Sequence, residues 1–461
     1  MASARIIDVS SVVDEAKVGA FTLRVVIVAA FIIFLDGFDI NNIGYVAPAM
    51  IRAWQLPDPS AFGPVFGASP LGILLGAPLL GYIGDRFGRK KAIFIACLIF
   101  SVFTLAAVLT SSVRELVIVR FLCGIGIGGV MPNVIALVAE YAPKRLRATL
   151  VVVMFSGIGL GAGMPGPVAA WLIPQYGWQV VFTVGGVVGI LAAFLCLAAL
   201  PESIKYFAIR PGHRANVLRL VRAVRPDLAV DADASFVVRD EKQYAGLSPK
   251  HLFRDGYAPV TLCLWVLFAT NLMGYFFLFN WTPTLLASVN IPMTKAALFT
   301  SVLQVGGLIG GWVIGYPMDR FGYLPVAVLS ILAIPVVGAI GYVGTMSEPL
   351  LIVVLFLAGF SVLGFNYATN GVSGIVYPTA FRSVGSGWCF AVGRAGSVTG
   401  PVIGGVLIGM HVSVQNLYLF AAIPYLICAP VALVFAGIYR RRFIRAARSD
   451  VAAVTASQEA L

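Results

Sequence analysis

Apolar runs of 18 or more residues recur along the whole 461-residue chain, each long enough for the ~20-residue helix that a ~30 Å hydrocarbon core demands. Twelve are read, near residues 22–48, 61–83, 91–110, 116–141, 147–173, 180–200, 258–287, 296–317, 324–344, 350–376, 383–409 and 417–439. The composition agrees: 59% of residues are hydrophobic and 11% charged, against about 25% charged in soluble domains. The expected fold is all-α and membrane-embedded, with twelve transmembrane helices in two six-helix, pseudo-symmetric halves. Residues 1–200 and 258–440 form the halves, 201–257 a linker and 441–461 a tail.

A net charge of +12 would suit nucleic acid, but its distribution excludes that partner. Basic residues gather in alternate loops: Arg86, Arg89, Lys90 and Lys91; Lys144, Arg145 and Arg147; the linker; Arg320; Arg382; and the tail from Arg440. The opposite loops hold only Arg52, Arg114 and Lys295. By the positive-inside rule both termini and the linker are cytoplasmic, which predicts a multi-pass protein of the bacterial inner membrane. Residues 1–20 carry Asp8, Asp14 and Glu15, so no cleavable signal peptide is expected there. The six cysteines all fall inside apolar runs without CxxC or Cys/His spacing, so neither a disulfide framework nor a metal site is expected. No hydrolase elbow or P-loop is present, and no catalytic residue or cofactor is expected. Within the linker, residues 213–220 read as a short amphipathic helix on an anionic leaflet, or more simply as solvated linker.

The halves resemble each other at an offset of about 235 residues, the mark of a transporter built from repeats. Gly81 to Gly88 returns as Gly315 to Gly322, Phe121-Leu122 with Gly124 as Phe356-Leu357 with Gly359, and Gly166-Pro167 as Gly400-Pro401. Residues shared by both halves are most simply architecture; charges present in only one need another reason. Asp36 and Asp39 fall opposite the region of Met273 and Phe276, Arg120 opposite Leu355, Glu140 opposite Ile375, and Arg394 opposite Leu160.

Asp36 and Asp39 are the sharpest of these. A charge near the bilayer midplane costs roughly 3 kcal/mol, so such residues usually mark an ion or substrate path. Three apart, the two acids share a helix face, and one of them should hold a proton reversibly. The bland alternative is a polar pair that only ties helices together. Arg394 lies near the centre of span 11 and needs a carboxylate, either one of these acids or one on a ligand. Tyr275, Phe276 and Asn280 in span 7, Phe365, Asn366 and Asn370 in span 10, and Trp388 in span 11 suit a flat ring with polar substituents, although such aromatics are more often packing. Arg120 lies near the outer end of span 4, where snorkelling or a gating role is open to it. Glu140 is ~30 Å further along that helix and cannot pair with it. Asp85, Arg86 and Arg89, with Glu140, Asp319 and Arg382, are expected to form the cytoplasmic gate.

Gly81-x-x-x-Asp85-Arg86-x-Gly88-Arg89-Lys90 resembles the loop signature of the major facilitator superfamily. With Asp36-Gly37-Phe38-Asp39, Met131-Pro132-Asn133 and Gly393-Arg394, it makes the chain similar to the superfamily's aromatic acid:proton symporters over all twelve spans. The resemblance implies proton-coupled uptake of a benzoate-type acid, with the acidic pair in the coupling and Arg120, Glu140, Arg382 and Arg394 as charged positions that matter. The expected partners are a small aromatic carboxylate, a proton and the lipid bilayer, for a monomer. Pro201-Glu202-Ser203 also occurs in sugar and organic-ion porters, which leaves another organic anion or a sugar as the alternative, and a non-transporting receptor as a remote one.

Overall fold

The computed structural model describes residues 6–210, 212–228, 235–238, 252–254, 256–344, 346–377 and 382–441. Twelve helical spans among them are long and apolar enough to cross a membrane. The chain divides into two units, Met1–Trp54 with Ala68–Lys242, and Gln55–Gly67 with Gln243–Leu461.

The first unit contains β1 (Ile6–Asp8), α1 (Val9–Asp14), α2 (Ala20–Ala53), most of α3 (Gly63–Phe87), α4 (Arg89–Ala106), α5 (Val113–Tyr141), α6 (Arg147–Gly163), α7 (Pro165–Tyr176), α8 (Gln179–Ala199), α9 (Ile204–Ala208), α10 (Arg214–Val224) and β2 (Ser235–Val237). One expected span is split into α6 and α7 at Met164, because Pro165 has no N–H to continue the ladder and sits well as a first helical residue. The second unit contains α11 (Ala258–Ser288), α12 (Met293–Val313), α13 (Gly315–Phe321), α14 (Leu324–Val343), α15 (Glu348–Val376), α16 (Arg382–Gly409) and α17 (Val414–Tyr439). The segment Gln55–Gly67 groups with it: Phe66 meets Trp281 edge-on at 4.9 Å.

The repeat read from sequence reappears as packing. In the first unit α2 pairs with α6, and α4 with α8; in the second, α11 pairs with α16, and α14 with α17. Small residues let these helices touch backbone to backbone, which is how helices associate where lipid removes the hydrophobic drive. A Cβ on Gly161 of α6 would run into the carbonyl oxygen of Phe34 on α2, and one on Gly396 of α16 into that of Ala269 on α11. Gly37, between the two acids, likewise admits the Ile158 backbone of α6.

The linker is more ordered than a solvated tether. β1 pairs in parallel with β2, Ile6 opposite Ser235 and Asp8 opposite Val237. Val217, Leu220, Val221 and Val224 of α10 are buried in one cluster with Val9, Val12 and Val13 of α1. The apolar face of this amphipathic helix is thus covered by protein, which corrects the expectation that it lies on a leaflet or is solvated. Arg147 bonds to Asp14, and Arg225 reaches Glu15 at 3.5 Å. Of the tail, residues 442–461 lie outside the described residues.

Gly161→Val is expected to cost about 1–3 kcal/mol by overpacking the contact between α2 and α6. Gly81→Ala, where a Cβ meets nothing within 4 Å, is expected to be silent. Thermal unfolding of the two variants in detergent checks the contrast.

Candidate functional site

Midway along α2 the side chains of Asp36, Asp39, Asn41 and Asn42 are all buried, Asp36 1% and Asp39 2% exposed. Burying a carboxylate in an apolar span requires donors or a countercharge, and Asp39 has both. Oδ1 accepts from Thr104 Oγ1 of α4 at 2.6 Å and from Asn42 Nδ2 at 3.0 Å. Oδ2 accepts from the Cys123 thiol of α5 at 2.8 Å and faces Arg120 Nη1 at 3.4 Å. Arg120 Nη2 also donates to the Asp39 backbone oxygen at 2.9 Å. The guanidinium is wholly buried, at 0% exposure, so it does not snorkel. This corrects the snorkelling alternative for Arg120, which keeps its place near the end of α5 but serves as the countercharge of Asp39. Asp36 lies one turn earlier on α2, within electrostatic reach of Cys97 of α4.

A second cluster gathers the loop signature. Arg89 Nε pairs with Glu140 Oε1 at 2.8 Å and its Nη2 with Asp85 at 3.4 Å. Ser203 donates to Glu140, while Glu202 Oε1 accepts from the backbone N–H groups of Lys90, at 3.1 Å, and Ser203, at 2.9 Å. The Tyr141 hydroxyl donates to the Glu202 backbone oxygen. Gly88, at φ 108°, makes the tight turn under Glu202; a side chain there would collide with the Glu202 carboxylate. Arg86 donates to the Tyr82 hydroxyl at 2.7 Å, and its carbonyl accepts from Arg210. Pro201-Glu202-Ser203 thus fastens a loop inside the first unit, a task independent of the cargo carried.

In the second unit, Tyr275 stands edge-on to Phe276 at 4.9 Å and tilted against Phe279 at 4.5 Å. Asn280 Nδ2 bonds to the Phe276 carbonyl at 2.8 Å, and Asn370 Nδ2 to Asn366 Oδ1 at 3.0 Å. Phe365 is wholly buried in the unit's apolar core, and Trp388 is tilted against Trp265 at 5.8 Å. Arg394 is half-buried on α16, its carbonyl accepting from Ser397 Oγ at 2.7 Å. Asp319 is exposed on α13. The side chain of Arg382 lies outside the described ones.

Residues 29–375 match the Major Facilitator Superfamily. The chain belongs to that superfamily. It is 32% identical to a gallate transporter of Pseudomonas putida over 91% of this chain and 92% of the relative. It is 33% identical to the 4-hydroxybenzoate transporter PcaK of Acinetobacter baylyi, over 91% and 92%. The benzoate transport protein of Acinetobacter baylyi is 30% identical over 91% of each. Within the superfamily the chain therefore falls with the aromatic acid transporters. Among solved structures, a bacterial homologue of the human lysosomal transporter Spinster superposes with a TM-score of 0.68 at 17% identity, covering 93% of this chain and 99% of that one. The xylose transporter XylE of E. coli gives 0.66 at 18%, covering 92% and 98%. These two likenesses speak to the fold alone. A major facilitator protein is a transporter and not an enzyme, as the sequence led one to expect.

Thr104, Cys123 and Asn42 were not among the residues singled out from sequence. A signal for Cys123 was present, since it follows Arg120 by three positions and shares its face of α5. Thr104 had none, because nothing in the chain order sets α4 beside Asp39.

Arg120→Met would leave Asp39 a buried charge and is expected to lower stability by about 3–5 kcal/mol. Adding Asp39→Asn should recover most of that loss. Melting of the single and double variants in detergent decides it: equal melting temperatures would refute the pairing.

Proposed function

We propose that the chain is a proton-driven symporter that imports an aromatic carboxylate of the hydroxybenzoate class across the bacterial inner membrane by alternating access. The named cargoes of the relatives, gallate, 4-hydroxybenzoate and benzoate, support the substrate class. The buried Asp39–Arg120 pair carries the coupling. A proton on Asp39 cancels the Coulombic hold on Arg120, so the pair has two states that a proton selects between, and Asp36 on the same helix is the second acid in reach. A pair that served only as a tie between helices would have no need of a titratable neighbour one turn away.

Arg394 is assigned to the substrate carboxylate, for which a guanidinium offers a matched fork. Tyr275, Phe276, Asn280, Phe365, Asn366, Asn370 and Trp388 are assigned to the ring and its substituents. The cluster of Asp85, Arg86, Arg89 and Glu140 is assigned to the cytoplasmic gate, with Asp319 and Arg382 as its counterparts in the other repeat. Both termini and the linker lie on the cytoplasmic side by the charge bias of the loops, and the working unit is a monomer.

Uptake of labelled 4-hydroxybenzoate by cells expressing the protein tests this reading. A protonophore is expected to abolish accumulation, and Asp36→Asn and Asp39→Asn each to impair it. Arg394→Leu is expected to raise the half-saturating concentration about 10- to 100-fold, the loss of one charge-assisted contact. Accumulation that survives the protonophore and both asparagine variants would refute the coupling.

A further inference from the structure

The groups around Asp39 differ in what they can do once that carboxylate takes up a proton. Arg120 only donates, and the Asn42 amide can offer its oxygen, which has no hydrogen-bond partner, only by turning over and withdrawing the N–H it donates. A new O–H on Asp39 cannot bond to Arg120, and a buried hydroxyl without an acceptor is costly. Two of its four partners can reverse their role by turning a hydrogen alone. Thr104 Oγ1 and Cys123 Sγ are rotors that donate in one orientation and accept in another, and they stand 3.4 Å apart, with either able to donate to the other.

Each rotor also has somewhere else to send its own proton. Cys123 Sγ is 2.8 Å from Asp39 Oδ2 and 3.6 Å from the carbonyl oxygen of Phe100, and its single proton can point to only one of them. Thr104 Oγ1 has the Cys123 sulfur, 3.4 Å away, as its alternative acceptor.

We propose that Thr104 and Cys123 are positioning residues that let Asp39 exist in both protonation states, donating to the carboxylate and turning to accept from the carboxylic acid. The inference rests on the symport reading above. No thiolate forms: the incoming proton bonds to a carboxylate oxygen of Asp39, the thiol keeps its hydrogen, and that hydrogen swings from Asp39 Oδ2 to the Phe100 carbonyl as the new O–H donates to Sγ or to Thr104 Oγ1. The ionisable groups that face Asp39 are Arg120 and Cys123 on α5, with Asp36 a turn away on α2 and Cys97 of α4 within electrostatic reach of Asp36. α6 beyond Arg147 has no ionisable side chain, and α8 has only Cys196.

The test uses the full-length protein in liposomes and has two readouts. The first is an infrared difference spectrum between acid and alkaline pH. A pH-dependent change in the S–H stretching region, lost in Cys123→Ala, is expected. No such change in the wild type, or one that persists in Cys123→Ala, would overturn the proposal. The second is the pH profile of uptake. The double variant Thr104→Val/Cys123→Ala strips two donors from the carboxylate and two acceptors from the acid form of Asp39, while Arg120 and Asn42 stay in place. Loss of the charge-assisted bonds to the carboxylate is the larger effect, so the midpoint is expected to move about one pH unit to the alkaline side, with Cys123→Ser and Thr104→Ser close to wild type. A wild-type profile in the double variant would overturn the proposal as well. Failure of the symport reading shows itself separately, as wild-type uptake indifferent to the proton gradient, and the infrared band then still decides the role of the two rotors.

Discussion

The first unit is arranged around one buried charge pair. Asp39 and Arg120 are 81 residues apart in sequence, yet each is almost completely removed from solvent, and neither would be tolerable there alone. To bring them together the middle of α2 must meet the first third of α5, and α4 must lie alongside so that Thr104 reaches the same carboxylate. The glycines of α2 and α6 complete the arrangement on the other side, because Gly37 and Gly161 let α6 approach α2 backbone to backbone. The polar pair sets which faces turn inward, and the glycines set how tightly the helices close around them.

A similar logic, with less burial, holds the loop cluster at one end of the unit. Arg89 is shared between Asp85 and Glu140, and Glu202 offers one carboxylate oxygen to two backbone N–H groups. A side chain that satisfies main-chain donors makes a firm fixing, whereas a pair such as Arg89 with the exposed Asp85 is worth little in water and is easily broken. The cluster thus combines a durable part and a labile part within a few residues.

Much of the architecture was legible in the chain itself, because bilayer thickness fixes span length and the repeat offset fixes which spans correspond. Gly161 and Gly396, one repeat apart, make equivalent backbone contacts in their own units. The partner of Asp39 was not legible. Arg120 sits near the end of its hydrophobic run, where a snorkelling cation is ordinary, and only the packing of α5 on α2 turns it inward. The amphipathic α10 was recognisable from its apolar spacing, but periodicity says only that a face is covered and not by what. Part of the cover is α1, a helix of six residues that lies between Asp8 and Glu15.

The parallel pairing of β1 with β2 has a consequence for how the molecule is made. Residues 6–8 leave the ribosome early, but their strand partner at 235–237 is synthesised only after every membrane helix of the first unit. Until then Val9, Val12 and Val13 have no α10 to cover them. The N-terminal segment must therefore wait through the insertion of six spans and then dock, so that its docking closes the assembly of that unit.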